Sequence, residues 1–409
     1  MDRPLHIHVV DDDPAILELV RTALELAGHR VSTSGDGASA LGRLVAEPPD
    51  VAILDLMMPN MDGAELCRRL RARPETAGTP IIVLSAKIYD ADRQGALRAG
   101  ANAYATKPIR IEHLLHVVAE VVADEVTATF WGVRGTLPAP APENVRYGGN
   151  TSCVSVQMPR GKLVIFDAGT GIRELGQHLT EQRTGRIDGT ILITHPHWDH
   201  INALPFFAPL YVPGNAFEIA GPSQPGASMS DLVAAQMDGR FFPITPREFG
   251  ASVRYRDLHQ GSFDLDGVQI DAFMLMHPGV CLGYKLRHGD RSLCYITDHE
   301  MYLPDSPHFT GEYVDRLTAF LRGADVVITD ATYTDQEYTS KVGWGHTCIS
   351  QAAELAHRAE VGRLCLFHHD PSQDDDAIDR KLDQAREWLH QAGSSTQVLA
   401  PREGDELRF

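Results

Sequence analysis

Short apolar runs alternate along this chain with stretches in which apolar residues recur at helical spacing. In the first 123 residues the runs are Leu5–Val10, Val51–Leu56, Ile81–Ala86 and Ala103–Thr106. Such runs are apolar on both faces, which predicts parallel strands covered on each side by helices. Asp13 and Pro14 supply a cap and a first turn for the helix after the first run. Ile16, Leu17, Val20, Leu24 and Leu26 form its apolar face, and Gly28 ends it. Ile109–Val122 reads as the last helix of this block.

After residue 123 strand-like runs follow at Thr127–Val133, Val154–Met158, Leu163–Phe166, Gly189–Ile193, Leu293–Ile296, Val326–Thr329 and Leu364–Phe367, with helices at Ile349–Ala359 and Asp374–Leu389. The joint at 124–126 holds no Gly/Ser- or Pro-rich tether, so mechanical coupling between 1–123 and 124–409 is expected. Residues 221–248 are richer in Pro, Gly, Met and Phe and read as a substrate-facing lid or a dimer contact.

Composition narrows the classes. A net charge of −18 argues against a generic grip on nucleic acid or anionic membrane. No apolar run is long enough to span a bilayer, and the chain enters a strand directly, so neither membrane span nor secretory leader is expected. Six cysteines stand singly, as reduced thiols in a cytoplasm would.

The carboxyl ends of the first block's strands collect Asp11, Asp12, Asp55, Ser85 and Lys107. Ligands bind at such ends. Three converging carboxylates repel unless a hard cation such as Mg²⁺ lies among them, and one would remain able to attack a phosphoryl donor. The run Asp55-Leu56-Met57-Met58-Pro59-Asn60-Met61-Asp62-Gly63, with Ser85 and Lys107 spaced 107 − 85 = 22 residues apart and Tyr104 between them, resembles the receiver domain of bacterial response regulators. The resemblance implies a doubly wound parallel (βα)5 fold. It implies Mg²⁺ held by Asp11, Asp12 and Asp55, phosphorylation of Asp55 by a sensor histidine kinase, and a switch through Ser85, Tyr104 and Lys107. A degenerate receiver serving as a dimerisation block is the alternative.

The densest chemistry is Thr194-His195-Pro196-His197-Trp198-Asp199-His200, directly after the run 189–193. Imidazoles and a carboxylate so close are what Zn²⁺ and similar ions bind, and one such loop can feed two neighbouring ions. His277, Asp298, Asp330, His368 and His369 each stand at or just past the end of an apolar run, and Gly345-His346-Thr347 precedes a helix. Asp167, ending another run before a Gly turn, suits orienting a ligand histidine better than binding metal. Arg134 beside a Gly turn could meet an anion, although the Gly turns read equally well as hairpins.

This pattern resembles the metallo-β-lactamase superfamily, and within it the phosphodiesterase branch, which includes phosphoribosyl 1,2-cyclic phosphate phosphodiesterase and tRNA 3′-end-processing endonucleases. The resemblance implies an α/β chain whose second domain, 124–409, has a four-layer αβ/βα hydrolase fold. It implies two divalent ions, Zn or Mn. One is held by His195, His197, His277 and Asp298, the other by Asp199, His200, His368 and the bridging Asp298. His346 and Asp298 are the catalytic pair, with His346 protonating a leaving oxygen, and Asp167, Asp330 and His369 are candidates for orienting roles. The function so implied is a response regulator whose output domain hydrolyses a small phosphodiester, cyclic ones included. A lactonase, thioesterase or lactamase chemistry, or a non-catalytic phospho-dependent adaptor, are the alternatives. A homodimer is compatible with both families.

Overall fold

The structure is a computed structural model that describes residues 4–86, 95–122, 126–159, 162–182, 186–265, 268–304 and 306–409. The chain divides into two compact units, the first holding Met1–Val126 and the second the bulk of Thr127–Phe409. The expected boundary between 123 and 124, with the joint itself, falls in segment 123–125, outside the described residues.

The first unit carries one parallel sheet of β1 (His6–Val10), β2 (Arg30–Ser34), β3 (Val51–Asp55), β4 (Ile81–Ser85) and β5 (Ala103–Thr106), in the order β2-β1-β3-β4-β5. The helices Pro14–Leu26 and Ile111–Val122 pack on one face through Val20, Leu24, Leu114 and Val118 against Ile7, Ile53 and Ile82. Gly37–Ala46 and Gly63–Arg71 cover the other face through Ala40, Leu44, Leu66 and Leu70. Two expectations are corrected. Arg30-Val31-Ser32-Thr33-Ser34 is a strand that no apolar run announces, because it lies at the sheet edge and is only half buried. Leu26, expected on the helix's apolar face, is 84% exposed, while Val20 and Leu24 are buried.

The second unit has two seven-stranded sheets. The first is ordered β11-β10-β9-β8-β7-β6-β19, from β6 (Thr127–Gly132), β7 (Cys153–Gln157), β8 (Leu163–Phe166), β9 (Asp188–Leu192), β10 (Ala216–Pro222), β11 (Ser252–Leu258) and β19 (Glu406–Arg408). The second is ordered β12-β13-β14-β15-β16-β17-β18, from β12 (Gly261–Leu265), β13 (Val268–Leu275), β14 (Cys281–His288), β15 (Arg291–Ile296), β16 (Val326–Asp330), β17 (Arg363–Phe367) and β18 (Gln397–Leu399). The sheets meet through aromatic rings: Phe166 stacks on Tyr295 at 4.9 Å, and Phe130 lies 6.3 Å from Phe367. Helices Gly311–Leu321, Ile349–Arg358 and Asp375–Gln391 bury Leu317, Ala353 and Leu389 against the outer face of the second sheet. Strands β8, β9, β15, β16 and β17 end on the loops that carry the candidate ligands. Among the described residues no helix is long and apolar enough to cross a membrane.

Candidate active site

Three of the loops that leave strands here turn sharply. Asp167, Asp298 and His368, the residues just past β8, β15 and β17, have φ of 58°, 56° and 57°. Non-glycine residues seldom adopt this left-handed conformation, which costs roughly 1–2 kcal/mol each and is retained where the surroundings enforce it. The turn after β9 ends in the short helix Trp198–Ile201, with His197 as its cap. His195 and His197 therefore precede that helix, while Asp199 and His200 project from it.

Two overlapping groups of ligand atoms result. His195, His197, His277 and Asp298 form one, and Asp199, His200, Asp298 and His368 the other, all ligand atoms of each lying within 4.8 Å of one another. Asp298 belongs to both: its Oδ2 is 3.6 Å from His195 Nε2 and 3.7 Å from His277 Nε2, and its Oδ1 is 3.4 Å from His200 Nε2 and 3.0 Å from His368 Nε2. A third group joins Asp298, Asp330, His346 and His368. The second group is wholly buried, whereas His197 of the first is exposed.

Hydrogen bonds behind the cluster orient its rings. His200 Nδ1 donates to Asp167 Oδ2 at 2.7 Å, and His277 Nδ1 to the Gly345 carbonyl at 2.9 Å. Asp199 Oδ2 accepts from the Thr136 amide at 2.7 Å. His346 Nδ1 donates to Asp330 Oδ2 at 2.8 Å. Charge shapes the same picture. Burial drives the His195 ring well below its ordinary pKa, with His200 adding to the effect. Burial alone would raise Asp298, but His368 and His200 hold it well below the usual carboxylate range, and His200 does the same for Asp199. Burial also opposes protonation of His346, yet Asp330 raises it to about 9.

The cluster fits divalent cations. Nε2 of His195 and of His200 are buried without a hydrogen-bond partner. Nε2 of His277, whose other nitrogen is committed to a carbonyl, lies 3.1 Å from His197 Nδ1. Unpaired buried polar atoms are costly. A shared cation between neutral imidazoles and carboxylates satisfies them all, and the mixed N/O donor set suits ions of the Zn²⁺ and Mn²⁺ kind.

Other candidates fall differently. Asp330 and Asp167 lie behind the ligand rings. His369 is buried with neither ring nitrogen hydrogen-bonded, its ring 6.2 Å from Tyr147 and outside all three groups. The anion Arg134 meets is a carboxylate of its own chain: it is fully buried, its Nη2 3.6 Å from Asp375 Oδ1, its Nε donating to the Gly148 carbonyl at 2.9 Å and its Nη1 to the Gln373 carbonyl at 2.5 Å. The segment 221–248 is tied by Gln224 to Val280, three residues past His277, through bonds of 2.8 and 3.1 Å. Several residues escaped notice in the sequence. Glu300, fully buried, accepts from Tyr338 Oη at 2.6 Å and from the amides of Gly343 and Gly345 at 2.8 Å, and so fixes the loop that carries His346. Thr194 and Thr332 contact ligand rings. Trp198 and Trp344 are exposed beside ligand residues, with Lys341 Nζ 3.9 Å from the Trp344 ring centre.

In the first unit Lys107 Nζ bridges Asp11, at 2.6 Å, and Asp55, whose Oδ2 also accepts from the Met57 amide. Burial raises the Asp55 carboxyl despite Lys107. Asp12 is exposed, Ser85 is buried at the end of β4, and Tyr104 is buried in β5 among Val83 and Leu66. Among the described residues Asp11, Asp12 and Asp55 do not form a convergent group like those of the second unit: Lys107 joins Asp11 to Asp55, while Asp12 is exposed.

Comparison with known families places both units. Residues 7–119 match the response regulator receiver domain, and residues 162–369, more than half of the chain, match the beta-lactamase superfamily domain. The chain belongs to the beta-lactamase superfamily and carries a response regulator receiver domain ahead of that domain. Its first unit is 40% identical over 113 residues to the probable transcriptional regulatory protein TcrX of Mycobacterium tuberculosis, a match covering 28% of this chain and 47% of TcrX. The chain thus spans about half the length of the curated relatives it matches. Among solved structures, the metallo-beta-lactamase fold protein YhfI of Bacillus subtilis is 18% identical, with 70% of this chain and 100% of that one covered and a TM-score of 0.49. A diphosphatase from the PhnP family is 20% identical, with 70% and 97% covered and a TM-score of 0.48.

Proposed function

We propose that this chain is a two-component response regulator whose 124–409 domain is a dinuclear-metal phosphodiesterase controlled by phosphorylation of Asp55. The observation that carries this reading is the meeting of seven side chains, His195, His197, Asp199, His200, His277, Asp298 and His368, from four separate loops. His195, His197, His277 and Asp298 would hold one ion, and Asp199, His200, His368 and Asp298 the other. Divalent cations bound there would supply Lewis acidity, bringing the pKa of water towards about 7 and neutralising charge on a phosphoryl oxygen. Asp298 serves both positions. His346 keeps Nδ1–H on Asp330, so its Nε2 carries the proton delivered to the departing alkoxide oxygen. A phosphodiester fits because attack expels an alkoxide that needs that proton.

In the 1–123 domain Asp11, Asp12 and Asp55 would hold Mg²⁺, and a sensor histidine kinase in the cytoplasm would phosphorylate Asp55. The added charge draws on Lys107 and Ser85 and shifts Tyr104 between two arrangements.

The test is a substrate panel: bis-p-nitrophenyl phosphate, a 2′,3′-cyclic nucleotide, a thioester and a lactone, each with and without beryllofluoride on the receiver. Metal-dependent hydrolysis of the diesters, lost in His195→Ala and altered by beryllofluoride, is expected. Faster thioester or lactone turnover would reject the phosphodiesterase, and no turnover with any ester would leave an adaptor.

A further inference from the structure

Two threonines complete the site in the same way, one from each sheet. Thr194 Oγ1 lies 3.0 Å from both oxygens of Asp167 and 3.1 Å from His195 Nδ1. Thr332 Oγ1 lies 2.7 Å from Asp330 Oδ1 and 3.2 Å from His368 Nδ1. All of these groups are buried. A hydroxyl has one proton to give, and a carboxylate only accepts. Asp167 also takes the Thr194 amide at 2.8 Å, His200 Nδ1–H at 2.7 Å and the Tyr295 hydroxyl at 3.0 Å, the pattern of an ionised acceptor. Asp330 likewise takes the Thr332 amide at 2.9 Å and His346 Nδ1–H at 2.8 Å. The Thr194 proton therefore goes to Asp167, and the Thr332 proton to Asp330 or to the His368 carbonyl 2.8 Å away. The partners open to each threonine proton only accept, so each threonine oxygen is left to accept. The ring nitrogen facing it must carry hydrogen. His195 and His368 are so fixed with Nδ1–H towards threonine and the Nε2 lone pair towards Asp298.

We infer that Thr194 and Thr332 are positioning residues that set the tautomer of His195 and His368 and thereby the hold of the cluster on its two cations. Asp167 orients one ligand of each ion, His195 through Thr194 and His200 directly. Asp330 orients His368 through Thr332 and the proton donor His346 directly. Threonine is needed in place of valine, although the two have the same shape, because only the hydroxyl can take hydrogen from the ring.

This rests on the cluster being a metal site and not on its substrate. The test uses the full chain, stripped with a chelator and titrated with Co²⁺ against a chromophoric competitor, with visible absorption bands as a second readout. Wild type should take two equivalents. Thr332→Val and Thr194→Val should each weaken one equivalent by about 10–100-fold, the size expected for losing an outer hydrogen bond to a ligand, and shift its bands. Thr332→Ser and Thr194→Ser, which keep the hydroxyl, should restore both. ¹⁵N-histidine spectra of zinc-loaded wild type, which need no variant to fold, should show two rings protonated at Nδ1 that are assignable to His195 and His368. Valine and serine variants that titrate alike, or either ring lacking the Nδ1 proton, would overturn the inference. A wild type that binds two Co²⁺ but hydrolyses no diester would reject the proposed reaction and leave the relays standing. A wild type that binds none would overturn both.

Discussion

Gly345→Ala tests whether the loop after Gly343 is built around His277. Gly345 has φ +83°, and a Cβ there would lie 2.5 Å from His277 Nδ1 and 2.8 Å from Pro278 Cδ. Ordinary contact needs about 3.5 Å, so the ring must retreat by about 1 Å. That retreat also disturbs the 2.9 Å bond from His277 Nδ1 to the Gly345 carbonyl. A displacement of about 1 Å at a site that depends on positioning costs about 100-fold in rate. The left-handed backbone adds strain of about 1–2 kcal/mol, worth a fall in Tm of about 2–8 °C. Gly343 is the control: its φ is +87°, yet a Cβ there meets nothing within 4 Å. Gly343→Ala should show the same thermal loss while hydrolysis of bis-p-nitrophenyl phosphate falls by no more than about threefold, under 1 kcal/mol of barrier. Steady-state kinetics and calorimetry on both variants read this. Equal loss of kcat/KM in the two would refute the claim that the space beside His277 matters.

Other outcomes follow from the same geometry. Burial between Ser32 and Ser34 pushes His8 down to about 4 from 6.5. The unfolded chain therefore takes up this proton first, so receiver stability is full above about pH 6.5 and falls by up to about 3 kcal/mol as pH drops towards 4. Denaturant-driven hydrogen exchange at receiver amides should show the slope, and His8→Gln should flatten it; equal slopes would contradict the assignment. Arg134→Ala strands the carbonyls of Gly148 and Gln373 and leaves a cavity. It should destabilise the second unit by about 3–5 kcal/mol in urea, followed by tryptophan emission, and a loss under about 1 kcal/mol would disprove its structural role. Asp55→Asn should abolish labelling by radioactive acetyl phosphate, and continued labelling would place the phosphoacceptor elsewhere.

Much of this was legible before any coordinates. Asp55, Lys107, Asp298, Asp330 and His368 each stand at or just past the end of an apolar run, and parallel strands bring such ends to one edge. The 195–200 loop declared itself by density alone. Harder to read was whatever depends on contacts across the two sheets. Thr194 and Thr332 look like ordinary strand-end threonines until Asp167 and Asp330 are seen beside them. Glu300 follows a ligand by two residues, and its hold on Gly343 and Gly345 spans more than forty residues of chain. The sequence could not say which anion Arg134 meets: Asp375, more than two hundred residues on, shares the guanidinium with two backbone carbonyls. The edge strand Arg30–Ser34 escaped because periodicity marks buried strands and this one is half solvated.

In the proposed site one carboxylate, Asp298, ties two cation positions together. Equilibrium dialysis of the full chain against Zn²⁺ or Mn²⁺, with metal counted per chain, measures this directly when wild type is set beside Asp298→Asn. Two ions per chain in wild type and a loss of affinity at both positions in the variant are predicted. Full retention of both ions by the variant, or none bound by wild type, would contradict it.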